Sequence, residues 1–160
     1  MSENVELTVG FQLLTTTADN HVLMVRSAEG VWELPRGTVA PGACPVASAR
    51  EAGVRRSGYC GSFEYALAVS LETNADGRVT GLEYVLDGGR TETVPTGPGR
   101  LRAGAAWRPM RELLESEPLI QHALLALAQG ERVPVLVNGE TTLAGWPAEA
   151  AGEVAVDGGR

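Results

Sequence analysis

Apolar and polar positions alternate in short blocks along the chain, and the blocks predict most of its elements. Residues 5–16 (VELTVGFQLLTT) are apolar and β-branched and read as a strand. Ala18-Asp19-Asn20 is a turn, and residues 21–26 (HVLMVR) return as a second strand of a hairpin. Pro35 and Gly37 then interrupt any regular element. A helix is predicted from Pro45 to Ser57, with Pro45 suited to its first turn and Gly58 to its C-terminal cap. Gly53 is a weak point within it, costing about 1 kcal/mol relative to Ala.

Residues 63–72 and 78–86 predict a further hairpin around Asn74-Ala75-Asp76-Gly77. In the first of these strands, Glu64, Ala66 and Ala68 would share one face, opposite Tyr65 and Leu67; in the second, Glu83 and Val85 lie opposite Tyr84. Residues 87–104 are rich in Gly, Pro and Thr and read as a loop, followed by a short strand at 105–108. Helical segments are expected over 110–117 and 118–129, the second closed by Gly130. Strands at 133–137 and 140–143 around Asn138-Gly139 predict a last hairpin, with Pro134 marking a sheet edge. The Ala/Gly/Glu-rich stretch from Ala148 is expected to fray. Strands before and after an early helix, with helices late, predict an α/β chain with a mixed sheet between helices.

Composition narrows the function classes. A chain of 160 residues that is 44% hydrophobic is long and apolar enough for one domain with its own core. The formal net charge of −7 disfavours nucleic acid as a partner, because phosphates repel it. No apolar run approaches a membrane span, and MSENVELTVG lacks the basic and apolar blocks of a signal peptide, so no membrane partner and a cytoplasmic location are expected. Cys44, Cys60, His21 and His122 show no zinc spacing.

Residues 32–59 carry the chemistry. WELPRG stands at Trp32–Gly37, a Pro-Gly turn at Pro41-Gly42, and Gly58 is followed by the apolar Tyr59; Gly42 and Gly58 are 16 positions apart. This segment resembles the box of the Nudix superfamily, G-x5-E-x7-R-E-U-x-E-E-x-G-U with U a bulky apolar residue, and its lead-in. With the two hairpins and the late AAWRPMREL segment, the resemblance spans residues 5–130. It implies a Nudix-like α/β/α sandwich over residues 1–130, with residues 131–160 as a C-terminal extension. It also implies magnesium held by box glutamates, which polarises a diphosphate and activates water.

In the same alignment the family's early glutamate falls on Ala43, its Arg-Glu pair on Glu51 and Ala52, and its Glu-Glu pair on Arg55 and Arg56. A one-residue slip would match Arg50-Glu51 to the Arg-Glu pair and recover a single carboxylate. The box is thus read as degenerate. No metal ligand is assigned, and the Mg²⁺ that the resemblance implies is doubtful here.

Arginines bind phosphate bidentately. Arg36, Gly37, Arg55 and Arg56 are therefore candidate ligand-binding residues, with Trp32 and Trp107 as stacking surfaces. Glu33, Glu51, Glu64 and Glu83 are candidate acid–base carboxylates, since a carboxyl buried in a cleft gains a raised pKa. The leading expectation is a protein that binds a phosphorylated or diphosphate-linked small molecule and has lost standard magnesium-dependent diphosphate hydrolysis. Two alternatives stay open: an enzyme with metal-free acid–base chemistry in the same pocket, and a hydrolase whose metal ligands lie outside the box. The tail hairpin offers an edge through which a homodimer would pair.

Overall fold

The computed structural model describes residues 6–95 and 101–141. β1 (Thr8–Thr17) is the central strand. It pairs in parallel with β6 (Val79–Thr91) and antiparallel with β2 (His21–Arg26) and β4 (Arg36–Val39). The principal sheet runs β3–β2–β1–β6–β5–β8, where β3 is Trp32–Glu33, β5 is Tyr65–Thr73 and β8 is Val133–Pro134. β4 lies beside β1, and β7 (Ala105–Pro109) lies beside β2. The parallel β1–β6 pair among antiparallel neighbours makes the sheet mixed, as expected.

Alternation along β1 divides the core between two helices. Phe11 and Leu13 point to one face, where they pack with Ala49 and Ala52 of α1 (Pro45–Ser57), and with Phe63 and Leu86. Leu14 points to the other face and packs with Val22, Met24, Leu34 and Val85 against Ile120 and Ala123 of α2 (Pro118–Gln129). Both caps form as the glycines predict: Gly58 has φ 84° and its N–H reaches the Val54 carbonyl, and Gly130 has φ 70°. Gly53 is explained by space, since a Cβ there would lie 2.9 Å from the Tyr59 carbonyl oxygen and 3.1 Å from the Phe63 ring.

Several expectations need correction. Pro35 lies in the break between β3 and β4, as expected, but Gly37 does not interrupt the chain: β4 runs through Gly37, which faces Phe11 across the pair. A Cβ at Gly37 would sit 2.7 Å from Phe11 Cζ, so the missing side chain is what lets the strand close on the core. The strand predicted to stop at 86 continues as β6 to Thr91, because β1 stays paired with it across a bulge between Leu14 and Thr16. A second bulge between Ala66 and Ala68 breaks the predicted alternation of β5. Leu67 and Ala68 therefore both pack against the α2 core, whereas Ala66 faces α1. The segment after Pro109 makes only a short 3-10 helix, Met110–Leu113. The tail splits: β8 joins the principal sheet at its edge beside β5, as Pro134 predicts, and β9 (Leu136–Val137) pairs with β10 (Glu140–Thr141). Positions 142 and 143 of the predicted hairpin, and the stretch expected to fray, lie outside the described residues.

Candidate functional site

The α2 helix begins at Pro118 and leaves one end of the sheet face beneath it open. The result is a cleft of about 550 Å³, within the usual size of small-molecule sites. Side chains reach it because they share the parity of the α2 core. Gln12 lies two residues before Leu14 on β1, and Glu83 lies two before Val85 on β6. The bulge in β5 brings Ser70 and Glu72 to the same face. Arg36, Gly37 and Thr38 of β4 close one side, and Glu117, Pro118 and Leu119 close the other.

Glu83 is the central group of this cleft. Its Cα partner on β1 is Gly10, and a Cβ there would stand 2.2 Å from Glu83 Oε2. The carboxyl thus occupies the space that a side chain on β1 would fill. Burial raises its pKa above the ordinary carboxylate value. Arg36 and a hydrogen bond with Gln12 oppose that rise, while Glu117 and Glu72 reinforce it. Gln12 is buried at 2% exposure, and its Nε2 donates to Glu117 Oε1 at 2.5 Å, tying the head of α2 to the central strand. Among the cleft's lining residues Arg36 is the one cation, beside three carboxylates.

The remaining candidates lie outside this cleft. Arg55 and Glu51 pair with each other at 3.5 Å on the outer face of α1, at 63% and 76% side-chain exposure. Arg56 reaches Glu33 at 3.6 Å, joining the last turn of α1 to β3. Glu64 pairs with Arg50 at 3.6 Å, just ahead of β5. Trp32 carries the guanidinium groups of Arg26 and Arg108 at 5.3 and 4.9 Å from its ring centre. Trp107 meets Tyr59 edge-to-face at 6.3 Å. Of the ten residues singled out in the sequence, Arg36, Gly37 and Glu83 therefore come together.

Gln12 and Glu117 were missed, whereas Glu72 is a carboxylate of the expected central hairpin, like Glu83. Gln12 carries a readable signal, a lone amide within the apolar run of β1. Glu117 carries none, because only the fold brings it near residues more than 30 positions away.

A multi-metal hydrolase needs several carboxylate oxygens converging on one point. The residues of α1 do not fit that demand. On α1, Ala52 is buried against the core, Arg55 and Arg56 are cationic, and Glu51 is bound to Arg55. Among the described residues no group of three or more His, Cys, Asp or Glu converges for a metal ion. Among them, too, no helix is long and apolar enough to cross a membrane.

No family model and no curated protein matches the sequence. Solved structures do match. A NUDIX hydrolase from Nitrosomonas europaea aligns with a TM-score of 0.57 at 20% identity, over 81% of this chain and 94% of that one. The MutT protein of Methanosarcina mazei Go1 aligns with a TM-score of 0.54 at 15% identity, over 81% and 99%. The NUDIX domain of Shewanella oneidensis NrtR, solved in complex with ADP ribose, aligns with a TM-score of 0.51 at 13% identity, over 78% and 86%. The mixed sheet between α1 and α2 and these alignments together give the chain the Nudix fold.

Proposed function

We propose that the chain binds a phosphorylated or diphosphate-linked small molecule of nucleotide type in the cleft between the sheet and the head of α2, and that standard magnesium-dependent diphosphate hydrolysis is lost. The observation that carries this reading is the charge layout: one arginine, Arg36, faces Glu72, Glu83 and Glu117 in a cleft of nucleotide size. Arg36 takes the anionic part bidentately. The carboxylates accept hydrogen bonds from sugar hydroxyls or base amino groups, as acidic residues do for ribose in dinucleotide sites. The head of α2 adds little for an anion. Pro118 has no N–H, and the N–H groups of Ile120 and Gln121 already bond the Glu117 carbonyl. ADP ribose, the ligand of the NrtR domain, has the required pattern of hydroxyls and charge and is the probe of choice.

Incubating the protein with ADP ribose and Mg²⁺ or Mn²⁺, and resolving the products by anion exchange, tests the second half of the proposal. Intact ADP ribose at every metal concentration is expected. Metal-dependent release of AMP would overturn it and restore a hydrolase with ligands elsewhere.

Glu83 favours one further reading, metal-free acid–base chemistry in the same cleft. Burial raises its pKa above the ordinary carboxylate value, the direction in which general acids and bases are tuned. A rate on any substrate that follows the titration of Glu83 and vanishes in Glu83→Gln, with binding retained, would support this reading over simple binding.

A further inference from the structure

A second cavity lies at the other end of α2, away from the cleft just described. It measures about 470 Å³ and opens between the second half of α2, the turn joining β1 to β2, and the 3-10 helix. Leu124 and Leu127 of α2 and Met110 give it apolar walls. Thr16 lines it as well. That residue is 1% exposed, and its Oγ1 has no hydrogen-bond partner. Burying a hydroxyl unpaired is costly. Arg90 and Arg111 also line the cavity. Both are exposed, and among the described residues neither lies within 4.0 Å of a carboxylate, as is also true of Arg26, Arg36, Arg78 and Arg102. No carboxylate stands among the lining residues.

We propose that this cavity is a second binding site, for an amphipathic organic anion. The apolar body, an alkyl chain or an aromatic ring, enters between α2 and the sheet. Its carboxylate or phosphate head is held by Arg90 and Arg111. Charge complementarity selects this occupant: an uncharged apolar molecule would leave both arginines unused, and a bare inorganic anion would leave the apolar walls in water.

The test uses the full chain, labelled with ¹⁵N, and follows amide shifts during titration with octanoate, octyl phosphate, octanol and acetate below micelle-forming concentrations. Octanoate or octyl phosphate is expected to shift the amides of Thr16, Arg111 and Leu127 saturably. Octanol and acetate are expected to bind at least tenfold more weakly. Whichever anion binds more tightly names the headgroup. The Arg90→Gln/Arg111→Gln variant changes only exposed side chains, and it is expected to bind octanoate no better than octanol. The proposal is overturned if neither octyl anion shifts these amides, if octanol binds as well as octanoate, or if the double variant retains the preference.

Discussion

At the scale of single residues, the energetic balance turns on a few crowded or unpartnered groups. Glu83 has a folded-state pKa above its unfolded value, so the folded chain binds the extra proton. Its effect on stability is absent below the ordinary carboxylate pKa. As pH rises from there through the raised value, stability falls. Glu83→Gln is expected to abolish that fall and to leave the protein more stable than wild type at neutral pH, as urea denaturation from acid to neutral pH would measure. Gly53→Ala sets two effects against each other. Helix propensity gains about 1 kcal/mol. Overpacking against the Tyr59 carbonyl and the Phe63 ring costs about 1–3 kcal/mol. The overpacking wins because one obstacle is backbone, so thermal denaturation should show a net loss. Thr16→Val removes a hydroxyl that bonds nothing, and a gain of about 1 kcal/mol is expected in the absence of ligand. The sequence marks Glu83 as a candidate but is silent on Gly10, whose only peculiarity is an absent side chain in mid-strand. Its role lies in the room it leaves for the carboxyl opposite.

At the scale of elements, both α-helices were legible because proline, glycine and apolar spacing agree at their ends. The strands were less so, and the failures share a cause. β4 and the end of β6 are glycine-containing stretches that look like loops by local preference, and they become strands because the central strand has edges to fill. The bulge in β5 has no local signature, yet it decides that Ser70 and Glu72 face the cleft. Leu34, 1% exposed beneath α2, anchors the chain between β3 and β4, and Leu34→Ala is expected to cost about 2–5 kcal/mol in equilibrium denaturation. β8 covers the edge of β5 at Tyr65 and Ala66, and Arg132 fastens it by pairing with Asp87 at 3.6 Å and lying 4.4 Å from the Tyr65 ring centre. Beyond it Val69 and Leu71 are exposed. Ending the chain after Gly130 would bare that edge, and sedimentation velocity should then report self-association that rises with concentration. A monomer at all concentrations would show that β8 is not what protects the strand.

At the scale of the whole molecule, the frame of the Nudix resemblance was more legible than the site. The frame was readable from WELPRG, the Pro-Gly turn and Gly58, and the solved structures share it. The site was readable only in part. The box pattern directs attention to α1, where Arg55 and Arg56 are taken up by Glu51 and Glu33. The cleft that gathers Arg36 and Glu83 lies on the opposite face of the sheet, under α2. Its partners come from four strands and a helix start, a convergence that no spacing along the chain encodes. In a chain of net charge −7, an anionic ligand must find a local cation, and Arg36 is the one the cleft supplies. The most direct measurement is calorimetric titration of ADP ribose into the wild-type chain and Arg36→Gln, both free of divalent metal. Saturable binding to the wild type, weakened at least tenfold in the variant, is the predicted result. Equal binding by the two proteins, or binding only after Mg²⁺ is added, would contradict it.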